Sequence, residues 1–146
     1  MSDDDNEEID IYIPNDEEYW QMLPDAEGID KADILLQLSM SYHPERDGQF
    51  AITLAEVALD IYREIGYQDG ETADFAFAFA SIAENKAKIG DYLGAIEMAE
   101  KAIPLIDHHE LGAYEELRWD LIKWNIKMGR LDKAILQLTE NYQKRQ

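Results

Sequence analysis

Two stretches of this chain nearly repeat each other: residues 51–59 read AITLAEVAL, and residues 95–103 read AIEMAEKAI. Five of the nine positions are identical, and two more are conservative exchanges. A third stretch, AILQLTENY at residues 134–142, keeps the Ala-Ile start and the apolar spacing. Each copy follows a turn that contains Gly. This self-similarity predicts a repeat protein, built from stacked copies of one supersecondary unit.

Gly, Pro and polar clusters divide most of the remaining chain into helices. The six expected helices span residues 30–43, 48–65, 71–89, 92–106, 111–128 and 131–144. The turns between them are short, so neighbouring helices should run antiparallel. Residues 74–80, DFAFAFA, alternate like a strand, but their flanks have a helical period. We therefore expect a helix there, with Phe75 and Phe79 on one face and Phe77 on another.

Small residues at equivalent positions indicate how these helices pack. Ala51, Ala95 and Ala134 begin the three copies, where two helices of one unit are expected to cross closely. Ala58 and Ala102 should meet the first helix of the next unit.

The middle unit, from residue 76 to residue 107, resembles the tetratricopeptide repeat (TPR) family. The residues at the family's motif spacing are Phe79, Ile82, Ala83, Gly90, Asp91, Tyr92, Ala95 and Ala102. The resemblance covers about residues 30–144, with steps of 44 and 39 residues where the family has about 34. With these longer repeats the chain is similar to the long-helix variants of the family. The resemblance implies an all-α, right-handed superhelix of three antiparallel helix hairpins at about 30–66, 71–107 and 111–144 within a domain of residues 30–146, preceded by an acidic N-terminal arm at residues 1–29.

The third unit has Asn141 where the others have Ala58 and Ala102. Lys133, Gln137, Glu140 and Lys144 share one helical face there. We expect this polar face to point outward and to end the array at three units.

The charge of the chain is strongly negative and unevenly placed. Its 146 residues (16.8 kDa) carry a net charge of −19, of which residues 1–30 contribute −12, residues 31–85 contribute −7 and residues 86–146 contribute zero. This balance argues against binding to nucleic acid or an anionic membrane, since both need a basic face. The chain has no Cys, no run of about 20 apolar residues and no signal-peptide pattern at its N-terminus. We expect a cytoplasmic protein.

The acidic arm has two interpretations. It is a solvated tail, or it docks on the repeat surface. A docked arm would either fold back on its own chain or cross to a second copy as a homodimer contact. The candidate docking residues are Ile9, Ile11 and Ile13 on an extended segment, and Tyr19, Trp20 and Leu23 on a short helix. Asn15 or Asp16 should cap that helix, and Pro24 should end it. Lys88, Lys123 and Lys127 would offer the arm a basic wall.

No catalytic or metal-binding pattern emerges. His43, His108 and His109 are the only histidines, and the adjacent pair would point apart on a helix. No phosphate-binding glycine motif occurs, and Ser39 and Ser41 lack a recognisable His or Asp partner motif. We expect a protein that is not an enzyme and has no cofactor and no metal.

In TPR proteins the first helix of each unit lines a concave groove. By that resemblance, the candidate partner-binding residues are Leu36, Met40, Phe77, Ala80, Glu84, Lys88, Trp119, Lys123, Ile126 and Lys127. For the apolar members the alternative is a place in the core, which is usual for aromatic and Met residues on helices. The family's clamp for C-terminal carboxylates uses Lys and Asn; Leu36, Met40 and Glu84 stand at those positions, so we do not expect it here.

Three functions fit this reading. The first is a module that binds a peptide or helix of an unidentified partner protein in the groove. The second is a dedicated chaperone, similar to the small acidic TPR chaperones of type III secretion. The third is a self-associating scaffold.

Overall fold

The protein is described here by a computed structural model that covers residues 14–41 and 47–144. Within these residues the chain is all-helical and contains no strand. The helices are α1 Asp16–Met22, α2 Gly28–Met40, α3 Gly48–Ile65, α4 Ala73–Lys88, α5 Tyr92–His108, α6 Glu115–Lys127 and α7 Leu131–Lys144. Short 3₁₀ turns at Leu23–Asp25 and Gly112–Tyr114 precede α2 and α6.

The helix pattern expected from the sequence is confirmed, with α3 and α7 beginning and ending where predicted. The alternating stretch at 74–80 lies in α4, where Phe75 and Phe79 are buried and Phe77 is only partly buried. Asn15 is the residue that caps α1, and Glu18 completes the capping box. The expected extended segment at Ile9, Ile11 and Ile13 lies outside the described residues.

Each helix packs against its neighbours in sequence, so α2–α3, α4–α5 and α6–α7 form three pairs. The first helices of the first two pairs, α2 and α4, are also in contact. The predicted crossing points are buried: Ala51 and Ala134 are 2% exposed and Ala95 is fully enclosed. Ala58 is enclosed as well. Small residues therefore stand where the helices approach most closely, as expected.

Local signals mark where helices begin and end, and Asp47 and Asp91 cap the N-termini of α3 and α5. The Asp47 side chain accepts a hydrogen bond from the backbone N–H of Gln49, and that of Asp91 accepts one from Gly94. Gly66 ends α3 with a φ of 117°, in the left-handed region that only Gly adopts at low cost.

The polar face of α7 differs from the prediction at one residue. Gln137 faces inward and accepts a hydrogen bond from Asn125 Nδ2 at 3.0 Å, and Lys144 Nζ lies 2.7 Å from Asp107. The polar side of the helix is therefore partly turned toward α5 and α6. The buried amide of Asn125 requires polar partners, and α7 supplies one for its Nδ2.

Candidate functional site

A cavity of about 360 Å³ opens where α2, α4 and the turn before α6 meet. Its walls come from all three helix pairs. The lining residues are Ser39, Met40, Ser41, Ala51, Phe77, Ser81, Glu84, Asn85, Lys88 and Tyr114. Its volume is in the range of ordinary binding pockets.

The floor of this cavity is a buried hydrogen-bond network. Ser39 Oγ donates to the carbonyl of Ala51 at 2.8 Å, and its oxygen lies 2.7 Å from Ser81 Oγ. A hydroxyl has one proton, so Ser81 is the donor to Ser39. Asn85 Nδ2 donates to the Ser81 carbonyl at 2.8 Å. Three helices are thus fixed relative to one another beneath the opening.

Two aromatic rings and a thioether form the apolar side of the cavity. The rings of Phe77 and Tyr114 lie 5.5 Å apart at an angle of 37°. The Tyr114 hydroxyl points at the sulfur of Met40, 3.8 Å away. Tyr114 therefore links the first and third helix pairs across α4. Burial and the nearby Glu84 raise the pKa of the Tyr114 phenol.

The other side of the cavity carries one acid, Glu84, and one base, Lys88, and further acids stand nearby on α6. The Glu84 side chain is exposed at the opening, but partial desolvation by the surrounding protein atoms, followed by the charges of Asp120 and Glu116 on α6, raises its pKa. The pKa of Asp120 is also raised, by burial and then Glu116, although Lys123 opposes the shift. No ion pair joins Glu84 or Asp120 to another residue in the described part of the chain. The repulsion among these carboxylates is a local cost that a cation would relieve.

The structure brings together four of the predicted groove residues: Met40, Phe77, Glu84 and Lys88 line the same cavity. Leu36 and Ala80 do not belong to an accessible surface, because they are 2% and 0% exposed. They were placed in the groove by motif position, but the close contact of α2 with α4 buries them in the core.

The predicted residues on α6 lie apart from the cavity. Trp119 is half-buried and lines a separate cleft with Glu115, Arg118, Asn141 and Lys144, beside α7. Ile126 and Lys123 are exposed. Lys127 is also exposed, and its Nζ lies 5.1 Å from the ring centre of Tyr92 on α5. None of these side chains lines the cavity that contains Phe77.

Sequence reasoning missed Tyr114, Ser39, Ser81 and Asn85. Tyr114 was placed near the start of a helix, whereas it ends a 3₁₀ turn before α6. The two serines could have been found as hydroxyl residues on otherwise apolar helix faces. A buried hydroxyl needs a hydrogen-bond partner, so such a position indicates a buried polar contact.

The first described helix, α1, packs against α2 and reaches α3. Tyr19 and Leu23 pack against the core, and the Trp20 ring stacks on Phe50 with centroids 6.0 Å apart. This contact is on α2 and α3, not beside Lys88, Lys123 and Lys127 as expected. Asp30 and Asp33 line the cleft between α1 and α2. Apolar contact, rather than charge attraction, therefore supports the docking.

The described residues contain no group of three or more His, Asp or Glu side chains placed to hold a metal ion. The His108 and His109 rings meet edge to face at 4.8 Å, and His109 Nε2 lies 3.1 Å from the Gly70 carbonyl. His43 lies outside the described residues. Within the described ranges, no helix is both long enough and apolar enough to cross a membrane.

Comparison with known proteins gives no match to a family model, to a curated protein or to a solved structure. The class of this protein therefore rests on its own residues: within the described ranges, an all-helical chain with a cavity lined by two aromatic rings, one acid and one base.

Proposed function

We propose that this protein is a non-enzymatic interaction module that binds a basic peptide or helix of a partner protein at the cavity of Phe77 and Tyr114. In this proposal the three helix pairs stack as a TPR-like right-handed superhelix, and the cavity lies on its concave face. The observation that carries the proposal is the pairing of an apolar wall, Phe77 with Tyr114, and the acidic side chain of Glu84 in one opening.

The two halves of the cavity select different parts of a ligand. An apolar side chain of the partner would enter between Met40, Phe77 and Tyr114, since desolvated aromatic pockets supply most of the affinity in small interfaces. A Lys or Arg beside it would reach Glu84 and the carboxylates of Glu116 and Asp120. The net charge of −19 would also accelerate the approach of a basic partner and repel an acidic one.

The buried floor supports this role. The hydroxyl groups of Ser39 and Ser81 bond to each other and to the Ala51 carbonyl, so they hold the wall helices in place. A fixed opening loses little conformational entropy when a ligand enters.

Selection from a phage-displayed random peptide library tests the proposal. The immobilised protein is the full chain, and the counter-selection uses the Phe77→Ser, Glu84→Lys variant. We expect enriched peptides to carry Lys or Arg within a few residues of a large apolar residue and to lose binding to the variant. Enrichment of acidic peptides, or equal enrichment on the variant, would show that the cavity is not the binding site.

A further inference from the structure

The outer side of α7 carries a row of large apolar residues. Leu131, Ile135, Leu138 and Tyr142 follow the spacing i, i+4, i+7, i+11, which places them on one helical face. They are 59%, 61%, 44% and 66% exposed, respectively. We call these four residues the α7 stripe. A contiguous apolar patch of this kind is unusual on the surface of a monomer.

At two positions of the α7 stripe, the equivalent residues in α3 and α5 are buried rather than exposed. Ile135 occupies the position of Ile52 in α3 and of Ile96 in α5, and both of those are only 2% exposed. Leu138 likewise corresponds to Ala55 and Ala99, which are fully buried. In α3 and α5 a following helix packs alongside, namely α4 and α6. The α7 stripe is thus the face that receives a neighbouring helix.

Charge favours a second copy of this chain, joined through the same face. The whole excess of −19 lies in residues 1–85, while residues 86–146 are neutral. Within α7 two acids, Asp132 and Glu140, balance two bases, Lys133 and Lys144. A contact between two α7 stripes brings the neutral halves together and keeps the acid-rich helices α1 to α3 of the two copies apart.

Head-to-tail stacking is disfavoured by the other end of the molecule. There α1 already packs on α2. The first turn of α1 is Asp16, Glu17 and Glu18. The open face of α2 that could extend the array is therefore covered by an acidic helix.

We propose that two copies of this chain associate about a two-fold axis by packing their α7 stripes against each other. Such an interface is isologous, so each stripe covers its own equivalent and the assembly closes at two copies. This association is independent of the proposed peptide-binding cavity, since none of the stripe residues lines that cavity.

Sedimentation analysis of the full chain over a range of concentrations tests the proposal. We expect a monomer–dimer equilibrium, which the double substitution Ile135→Glu, Leu138→Glu shifts to monomer. Leu136→Glu is the matched control, because Leu136 is 58% exposed, like Ile135 at 61%, but points about 100° away around the helix. The control should remain dimeric, and circular dichroism should show unchanged helicity in both variants.

A cross-linking measurement reports on the same face without changing its charge. The chain has no Cys, so a single Leu138→Cys substitution near the proposed axis should form a covalent dimer on mild oxidation, whereas Leu136→Cys should not. A monomeric wild type at every concentration would overturn the proposal. Equal dissociation by both Glu variants, cross-linking at both Cys positions alike, or growth beyond the dimer would also overturn it.

Discussion

The hydroxyl oxygens of Ser39 on α2 and Ser81 on α4 lie 2.7 Å apart beneath the cavity, and Ser39 also donates to the Ala51 carbonyl on α3. The first bond connects the first helix pair to the second, and the other joins the two helices of the first pair; both serines are almost fully buried there, at 3% and 4% exposure. The contact fixes the shape of the opening, because the residues that line it stand on the same helices.

Ser39→Ala should destabilise the protein by about 1–3 kcal/mol, because the Ala51 carbonyl and the Ser81 hydroxyl each lose a partner. Ser41→Ala is the control, since among the described residues its hydroxyl bonds to the Gln37 carbonyl of its own helix and to no other helix. Urea denaturation measures both. Equal, small losses for the two variants would contradict a structural role for the Ser39–Ser81 contact.

Phe75→Ala and Phe77→Ala should separate folding from binding. Phe75 is fully buried, so its truncation should cost about 3–5 kcal/mol of stability. Phe77 is only partly buried, and its truncation should cost about 1–2 kcal/mol. Only the Phe77 variant should lose peptide binding while it is still folded. A stability loss at Phe77 as large as that at Phe75 would place its ring in the core.

Glu84→Gln should stabilise the protein at neutral pH while weakening its affinity for basic peptides. The pKa of Glu84 is raised in the folded state, by burial and by Asp120 and Glu116. The folded protein therefore binds the proton more tightly than the unfolded chain, and ionisation lowers the free energy of unfolding as the pH rises. The stabilising effect of the substitution should disappear below the ordinary Glu pKa of about 4.3.

Thermal melts between acidic and neutral pH measure this effect. Glu97→Gln on α5 is the control, because Glu97 is exposed like Glu84 but is not among the residues that line the cavity. A lower melting temperature for Glu84→Gln at neutral pH would show that the carboxylate is stabilised by its surroundings, contrary to the repulsion argued above.

Asp107 should hold the end of α7 in a pH-dependent manner. Burial raises the pKa of this carboxyl, but hydrogen bonds from Arg118 and Lys144 outweigh it, and the pKa is lowered. The stabilisation is therefore present above the unfolded-state pKa of about 3.9 and is lost as the pH falls below it. Because Asp107 and Lys144 are 41% and 50% exposed, although Arg118 is only 12% exposed, Asp107→Asn should cost about 1 kcal/mol.

Amide hydrogen exchange measures this local effect. In Asp107→Asn the amides of the last turns of α7 should exchange faster, while those of α3 should be unchanged. The exposed Asp132→Asn, at the other end of α7, should leave the pattern as in the wild type. Unchanged exchange in the Asp107 variant would contradict the role assigned to this carboxylate.

The sequence was sufficient for the helices because their ends are encoded locally. Asp47, Asp91 and Gly66 mark boundaries that depend on neighbouring residues only. The outward polar row of α7 was predicted correctly for Lys133, Glu140 and Lys144, which are exposed, but not for Gln137. Gln137 turns inward because the buried Asn125 amide on α6 needs a polar partner.

The cavity was predictable only in part. Helix position was enough to predict four lining residues, Met40, Phe77, Glu84 and Lys88. It failed for Leu36 and Ala80, because α2 and α4 pack closely enough to bury both side chains. Tyr114 is 74 residues from Met40 in sequence. No local pattern encodes a contact at that separation.

The most direct test of peptide binding at the cavity is an amide NMR titration of the isotope-labelled full chain. The probe is a short amphipathic peptide of Lys, Leu and Phe, and its counterpart with Glu in place of Lys is the control. We predict that the basic peptide shifts the resonances of Met40, Phe77, Ser81, Glu84 and Tyr114, and that the acidic peptide shifts none of them. Shifts confined to the exposed faces of α3 and α5, or equal shifts with both peptides, would contradict binding at this cavity.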